Sequence, residues 1–148
     1  LARADAAVLV GEPAAWARCL AEWPELAAAR PVTARLVPLE TGMTLAGEDV
    51  LAFAGIGRPE KFFESLRAMG ARLVAAEPFP DHHLYGRTVI ERLLRRARGS
   101  GAMLVTTEKD AVRLPPDLRR EVVTLMVTLE PEDWDPLDRL LERCLAPR

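Results

Sequence analysis

Lysine is nearly missing from this 148-residue chain: of its 20 basic residues only Lys61 and Lys109 are lysines, and the rest are arginines. Histidine is as scarce, with His82 and His83 adjacent in "FPDHHLYG", so any histidine-dependent chemistry must use that octet. The two cysteines, Cys19 and Cys144, lie far apart and have no partner at metal-binding spacing. That excludes a zinc-ribbon site and leaves buried thiols as the plain reading. Apolar runs of the roughly 18 residues a spanning helix needs do not occur, and the N-terminus lacks a signal-peptide order, so the chain reads as cytoplasmic. A net charge of −2 argues against affinity for nucleic acid through an overall positive excess, and no nucleic-acid partner is expected. An initiator methionine is also missing from "LARADAAVLVGE", which reads as the later portion of a longer protein.

What is present is ordinary globular material. With 49% hydrophobic and 28% charged residues the chain can bury a core. Short apolar runs ("AAVLVG", "ARLVPLE", "DVLAFAGI", "ARLVAAEPF", "AMLVTT", "VVTLMVTL") alternate with segments of helical period, which predicts an α/β fold with an open, mostly parallel sheet flanked by helices. One helix is expected from Pro59 to Gly70 with Phe62, Phe63, Leu66 and Met69 buried. A second runs over "RTVIERLLRRARG" with Val89, Ile90, Leu93, Leu94 and Ala97 inward, and Arg92, Arg95, Arg96 and Arg98 mostly elsewhere. That basic face reads as a solvated surface or as attraction to anionic lipid or phosphate. A last helix is expected with Asp135 as its cap and Pro136 in its first turn. A boundary is placed near residue 48, dividing 1–48 from 49–148.

Three loops follow expected strands, and ligands in open parallel sheets bind beyond the carboxyl ends of strands. In "FAGIGRPEKFF", Gly55 and Gly57 permit a tight turn before a helix N-terminus, with Arg58 and Lys61 adding positive charge; anion binding and a plain turn are both open, since Glu60 breaks G-x-G-x-x-G. In "LVTTEKDAVRL", Thr107 and Asp110 fit a capping box, while Glu108 and Lys109 are charged neighbours that could orient a phosphate, a ribose or a partner carboxylate. In the octet, Asp81 and His82 have the chemistry to move a proton, against the plainer reading that Asp81 caps a helix and His83 is merely exposed.

Taken in order, "FAGIGRPEKFFESLRAMGA", "FPDHHLYG" and "LVTTEKDAVRLP" resemble the C-terminal half of the tetraacyldisaccharide 4'-kinase family, the lipid A disaccharide kinases of Gram-negative bacteria. The resemblance implies a Rossmann-like lobe of a two-lobed P-loop-type kinase, with residues 1–48 as the end of the nucleotide-binding lobe and linker, and 49–148 as the C-terminal α/β domain. It implies use of ATP and Mg2+ to phosphorylate the 4'-hydroxyl of a lipid A precursor disaccharide, at the cytoplasmic face of the inner membrane. His82 then matches a histidine that works with an aspartate of the N-terminal half on the sugar hydroxyl, and Asp81 the acid beside it. Thr107, Glu108, Lys109 and Asp110 match a run on the active-site side. The family's P-loop, G-x-x-x-x-G-K-[ST], is nowhere in this chain, so a missing N-terminal lobe is the expected partner and the piece alone is expected to be inactive. No metal site is expected here. Rival readings are a DHH-type metal-dependent phosphoesterase, which needs more acids and histidines than are evident, and a non-catalytic α/β interaction domain.

Overall fold

The computed structural model describes residues 4–39 and 42–145. In chain order the elements are β1 (Val8–Val10), α1 (Pro13–Glu22), α2 (Pro24–Ala28), β2 (Val32–Pro38), β3 (Asp49–Ala54), α3 (Pro59–Ala68), β4 (Arg72–Pro78), α4 (Arg87–Gly99), β5 (Met103–Thr107), α5 (Glu108–Ala111), β6 (Val123–Leu125), β7 (Val127–Pro131) and α6 (Asp135–Leu145). They form two compact units, Leu1–Pro38 with Val127–Arg148, and Leu39–Met126. The expected α/β architecture with a mostly parallel sheet is what the chain adopts. Residues Leu1 to Arg3 of the opening run and Glu40, the last residue of "ARLVPLE", lie outside the described residues, as does Thr41 in the loop that follows.

In the first unit β2 is central, pairing parallel with β1 and antiparallel with β7. The second unit holds a four-stranded sheet in the order β4-β3-β5-β6, parallel throughout. Strand β3 sits inside this sheet, and its alternation decides both cores. Leu51 and Phe53 point to the side covered by α4, where Ile90, Leu93, Leu94 and Ala97 meet them with Leu104. Val50, Ala52 and Ala54 point to the other side, against Phe62, Phe63 and Leu66 of α3 with Val105. A strand covered on both faces reads as an unbroken apolar run, as "VLAFA" does.

Helix α3 starts at Pro59, whose missing N–H costs nothing there, and the chain leaves it through Gly70 at φ +84°, in the left-handed region that favours glycine. Helix α4 buries the expected stripe, with Val89 partly covered.

Three expectations need correction. The thiols are not buried, since Cys19 is half-buried and Cys144 exposed. "VVTLMVTL" is not one strand: β6 pairs parallel with β5, whereas β7 pairs antiparallel with β2, and Met126 lies between them. The apolar run carries no glycine or proline at the break, so nothing in the local chemistry marks it. Asp135 is the first residue of α6 rather than its cap; the carboxylate of Asp133 accepts from the Asp135 N–H at 3.0 Å.

Most of the α4 arginines are spoken for. Arg92 and Arg96 both pair with Glu77 on β4, and Arg98 pairs with Glu121. Burial raises the Glu77 acid, but the two guanidiniums outweigh it and hold the carboxyl below its ordinary value of 4.5. The resulting stabilisation is present above that value and is lost as pH falls through the lowered one. Glu77→Gln is therefore expected to cost about 1 kcal/mol at pH 7, and urea unfolding should show the gap between the two proteins closing as pH drops below 4.5.

Candidate active site

The three loops singled out in the sequence leave the carboxyl ends of β3, β4 and β5, which are adjacent in the sheet. Parallel pairing therefore brings residues 55–58, 79–86 and 108–113 to one rim.

Their junction is the carboxylate of Asp110, a fully buried acid. Its Oδ1 accepts from the Tyr85 hydroxyl at 2.9 Å, the Gly55 N–H at 3.2 Å and Arg113 Nη1 at 3.3 Å. Its Oδ2 accepts from the Thr107 hydroxyl at 2.7 Å, while Thr107 Oγ1 accepts from the Asp110 N–H at 3.2 Å. The expected cap is thus present, but it is the smaller part of what Asp110 does. A buried carboxylate tolerates loss of water only when donors and a countercharge replace it, and all three loops contribute here. Burial, with the Asp110 charge second, pushes the Tyr85 phenol well above its usual range, so Tyr85 remains a donor.

Gly55 is required by close approach rather than by a backbone angle. A Cβ there would stand 2.8 Å from Tyr85 Oη, 3.0 Å from the Pro80 carbonyl and 3.1 Å from His83 Cβ. Gly57 has no such restraint, its nearest neighbour being Asp81 Oδ2 at 3.7 Å.

The octet folds back over this glycine. The Gly55 carbonyl accepts from the His82 N–H at 3.0 Å and from Arg113 Nη1 at 3.3 Å, and Asp81 Oδ1 also accepts from the His82 N–H at 3.0 Å. His82 has φ +59°, a left-handed conformation that costs a non-glycine residue roughly 1–2 kcal/mol. Such strain gathers at functional sites. Its side chain is 79% exposed, with Nε2 3.7 Å from Asp81 Oδ2 and Nδ1 3.0 Å from Arg113 Nη2. His83 behaves differently, packing between Phe79 and Tyr85 with ring centroids 4.8 and 5.0 Å away.

The structure thus brings Gly55, Asp81, His82, Thr107 and Asp110 together, with Gly57 against Asp81. Arg58 and Lys61 are exposed around the start of α3, and Glu108 and Lys109 are exposed in α5; no hydrogen bond joins Arg58, Lys61 or Lys109 to His82 among the described residues. Tyr85 and Arg113 are the members that sequence reasoning passed over. Arg113 was legible, because it stands three residues after an acid in a helical turn, the spacing of an ion pair. Tyr85 was not, since its partner is 25 residues away.

Two contrasts test this division of labour by chemical denaturation. Asp110→Ala should cost about 3–5 kcal/mol by leaving Arg113 without its buried countercharge, whereas Lys109→Ala should stay within about 0.5 kcal/mol of the parent. Gly55→Ala should cost about 1–3 kcal/mol through overpacking, with Gly57→Ala near neutral.

Comparison with known proteins gives this geometry a context. The family model described as tetraacyldisaccharide-1-P 4'-kinase matches residues 1–146. The tetraacyldisaccharide 4'-kinase of Jannaschia sp. is 48% identical over 146 residues, covering 99% of this chain and 44% of that protein. That of Paramagnetospirillum magneticum is 53% identical over 135 residues, covering 91% and 40%, and that of Rhodospirillum rubrum is 45% identical over 149 residues, covering 100% and 45%. No solved structure matches significantly. The chain spans less than half the length of these curated relatives. On the family match across nearly its whole length and on these identities, the chain belongs to the tetraacyldisaccharide-1-P 4'-kinase family.

Proposed function

We propose that this chain is the C-terminal portion of a kinase that transfers the γ-phosphoryl group of ATP to the 4'-hydroxyl of a tetraacyl glucosamine disaccharide, the lipid A precursor. The observation that carries this reading is the meeting of the three family motifs on one sheet rim, with the exposed His82 ring held at its edge by Asp110 through Arg113. In this reading His82 acts on the acceptor hydroxyl with Asp81 beside it. Gly55, Thr107 and Asp110 build the frame that holds the ring. Gly57, Arg58, Lys61 and Lys109 line the same side for the anionic substrate, with Glu108 beside them as an acceptor for hydroxyl groups.

In this reading the nucleotide and its Mg2+ are held chiefly by residues outside this chain. The phosphate cradle G-x-x-x-x-G-K-[ST] does not occur in the sequence, and among the described residues no three of His, Cys, Asp and Glu stand together to hold a metal. Both are assigned to an N-terminal lobe of the whole kinase, and no step is routed through them here. The rival two-metal phosphoesterase would need several acids and histidines gathered around its ions.

Contact with the cytoplasmic face of an anionic inner membrane belongs to the same proposal. It does not rest on α4, because Arg92, Arg96 and Arg98 are already paired with Glu77 and Glu121. Among the described residues no helix is long and apolar enough to cross a membrane.

Two assays decide the reading. In the whole kinase carrying this segment, His82→Ala should lower kcat on the order of a hundred- to a thousandfold while the unfolding midpoint stays in place. The isolated 148-residue chain should transfer no phosphoryl group from ATP to the disaccharide. Full activity of the variant, turnover by the isolated chain at the rate of the whole protein, or tight manganese binding with phosphodiester hydrolysis would each overturn it.

A further inference from the structure

We propose that Arg113 is a positioning residue for His82: it fixes the imidazole as the tautomer protonated on Nε2 and presents that N–H, rather than a free basic nitrogen, to the reacting groups. The inference rests on the functional reading above for its bearing on catalysis, but not for the tautomer itself.

A guanidinium has five N–H donors and no acceptor, so the atom facing Arg113 Nη2 at 3.0 Å must offer a lone pair. That atom is His82 Nδ1. In a neutral ring the proton is then on Nε2, on the side where Asp81 Oδ2 stands at 3.7 Å. A proton on Nδ1 would remove that lone pair and set one N–H donor against another.

Arg113 can impose this because it is itself fixed. Its side chain is 19% exposed, and Nη1 is held by the buried Asp110 carboxylate and the Gly55 carbonyl, both at 3.3 Å. The ring backbone is pinned from the other direction, through the His82 N–H to Gly55 O and Asp81 Oδ1. Among the described residues, the charged and titratable groups in contact with the ring are Asp81 on its own loop and Arg113 after α5, with Asp110 and Tyr85 behind the arginine. His83 is turned away against Phe79 and Tyr85.

The consequence is a division of roles. With Nδ1 occupied, His82 is a hydrogen-bond donor through Nε2, suited to orient an acceptor oxygen.

The chain's two histidines make the test direct. Two-bond 1H–15N spectra of the 15N-labelled chain, with His83→Gln used for assignment, should show neutral His82 protonated on Nε2 and its Nδ1 shifted from the free-acceptor position. Arg113→Met should return Nδ1 toward that free position, and Arg113→Lys, the gentler change beside Asp110, should retain part of the shift. In the whole kinase, Arg113→Met should lower kcat on the order of a hundredfold with KM for ATP unchanged, and Arg113→Lys should recover only part of it. Protonation on Nδ1, or an Nδ1 resonance indifferent to both substitutions, would overturn the lock even where His82→Ala lowers kcat. A lock seen by resonance with kcat unmoved by Arg113→Met would overturn the positioning role and leave the kinase reading standing. Loss of no activity in His82→Ala would overturn the kinase reading and the positioning role with it.

Discussion

One buried carboxylate holds the rim of the parallel sheet together. Asp110 takes hydrogen bonds from Gly55, Tyr85, Thr107 and Arg113, residues that leave three different strands. The sheet ladder alone brings the strand ends near one another; it does not say how the loops beyond them are arranged. A desolvated charge does, because each oxygen must be matched by donors in fixed directions or the cost of burial is left uncompensated. From that anchor the order passes outward: to Arg113, to the imidazole of His82, and through Gly55 to the turn that carries the octet.

How much of this was readable beforehand follows from the range of the interactions concerned. Helices α3 and α4 were legible because their signals are local: a proline at the start, an apolar stripe of helical period, a glycine past the end. The strands of the four-stranded sheet were legible as apolar runs between turn residues. The change of sheet at Met126 was not, since "VVTLMVTL" is equally apolar on both sides of it and only the distant partners, Thr107 and Leu36 among them, distinguish the halves. The same holds at the site. Thr107 and Asp110 read correctly as a capping pair, but the burial of Asp110 comes from Tyr85 and Gly55, which no spacing rule connects to it. For Gly55 the sequence left a turn and an anion cradle both open; the hydroxyl of Tyr85 lying where a Cβ would be supplies the reason for glycine.

The scarcity of lysine acquires a structural side as well. Arginines here are used in planar, multiple contacts: Arg113 bridges a carboxylate, a carbonyl and an imidazole, and Arg92 and Arg96 share Glu77. An ammonium, with all its donors on one atom, spans such a set only in part. The two lysines, by contrast, are both exposed, one near the start of α3 and one in α5.

The left-handed backbone at His82 sets two selective pressures against each other. Glycine would sit in that conformation without penalty and let the turn relax, whereas any residue with a Cβ carries the cost in every copy of the folded chain. A drift toward comfort at this position would strip away the imidazole, so the ring persists only as long as its usefulness exceeds the folding energy given up to keep it.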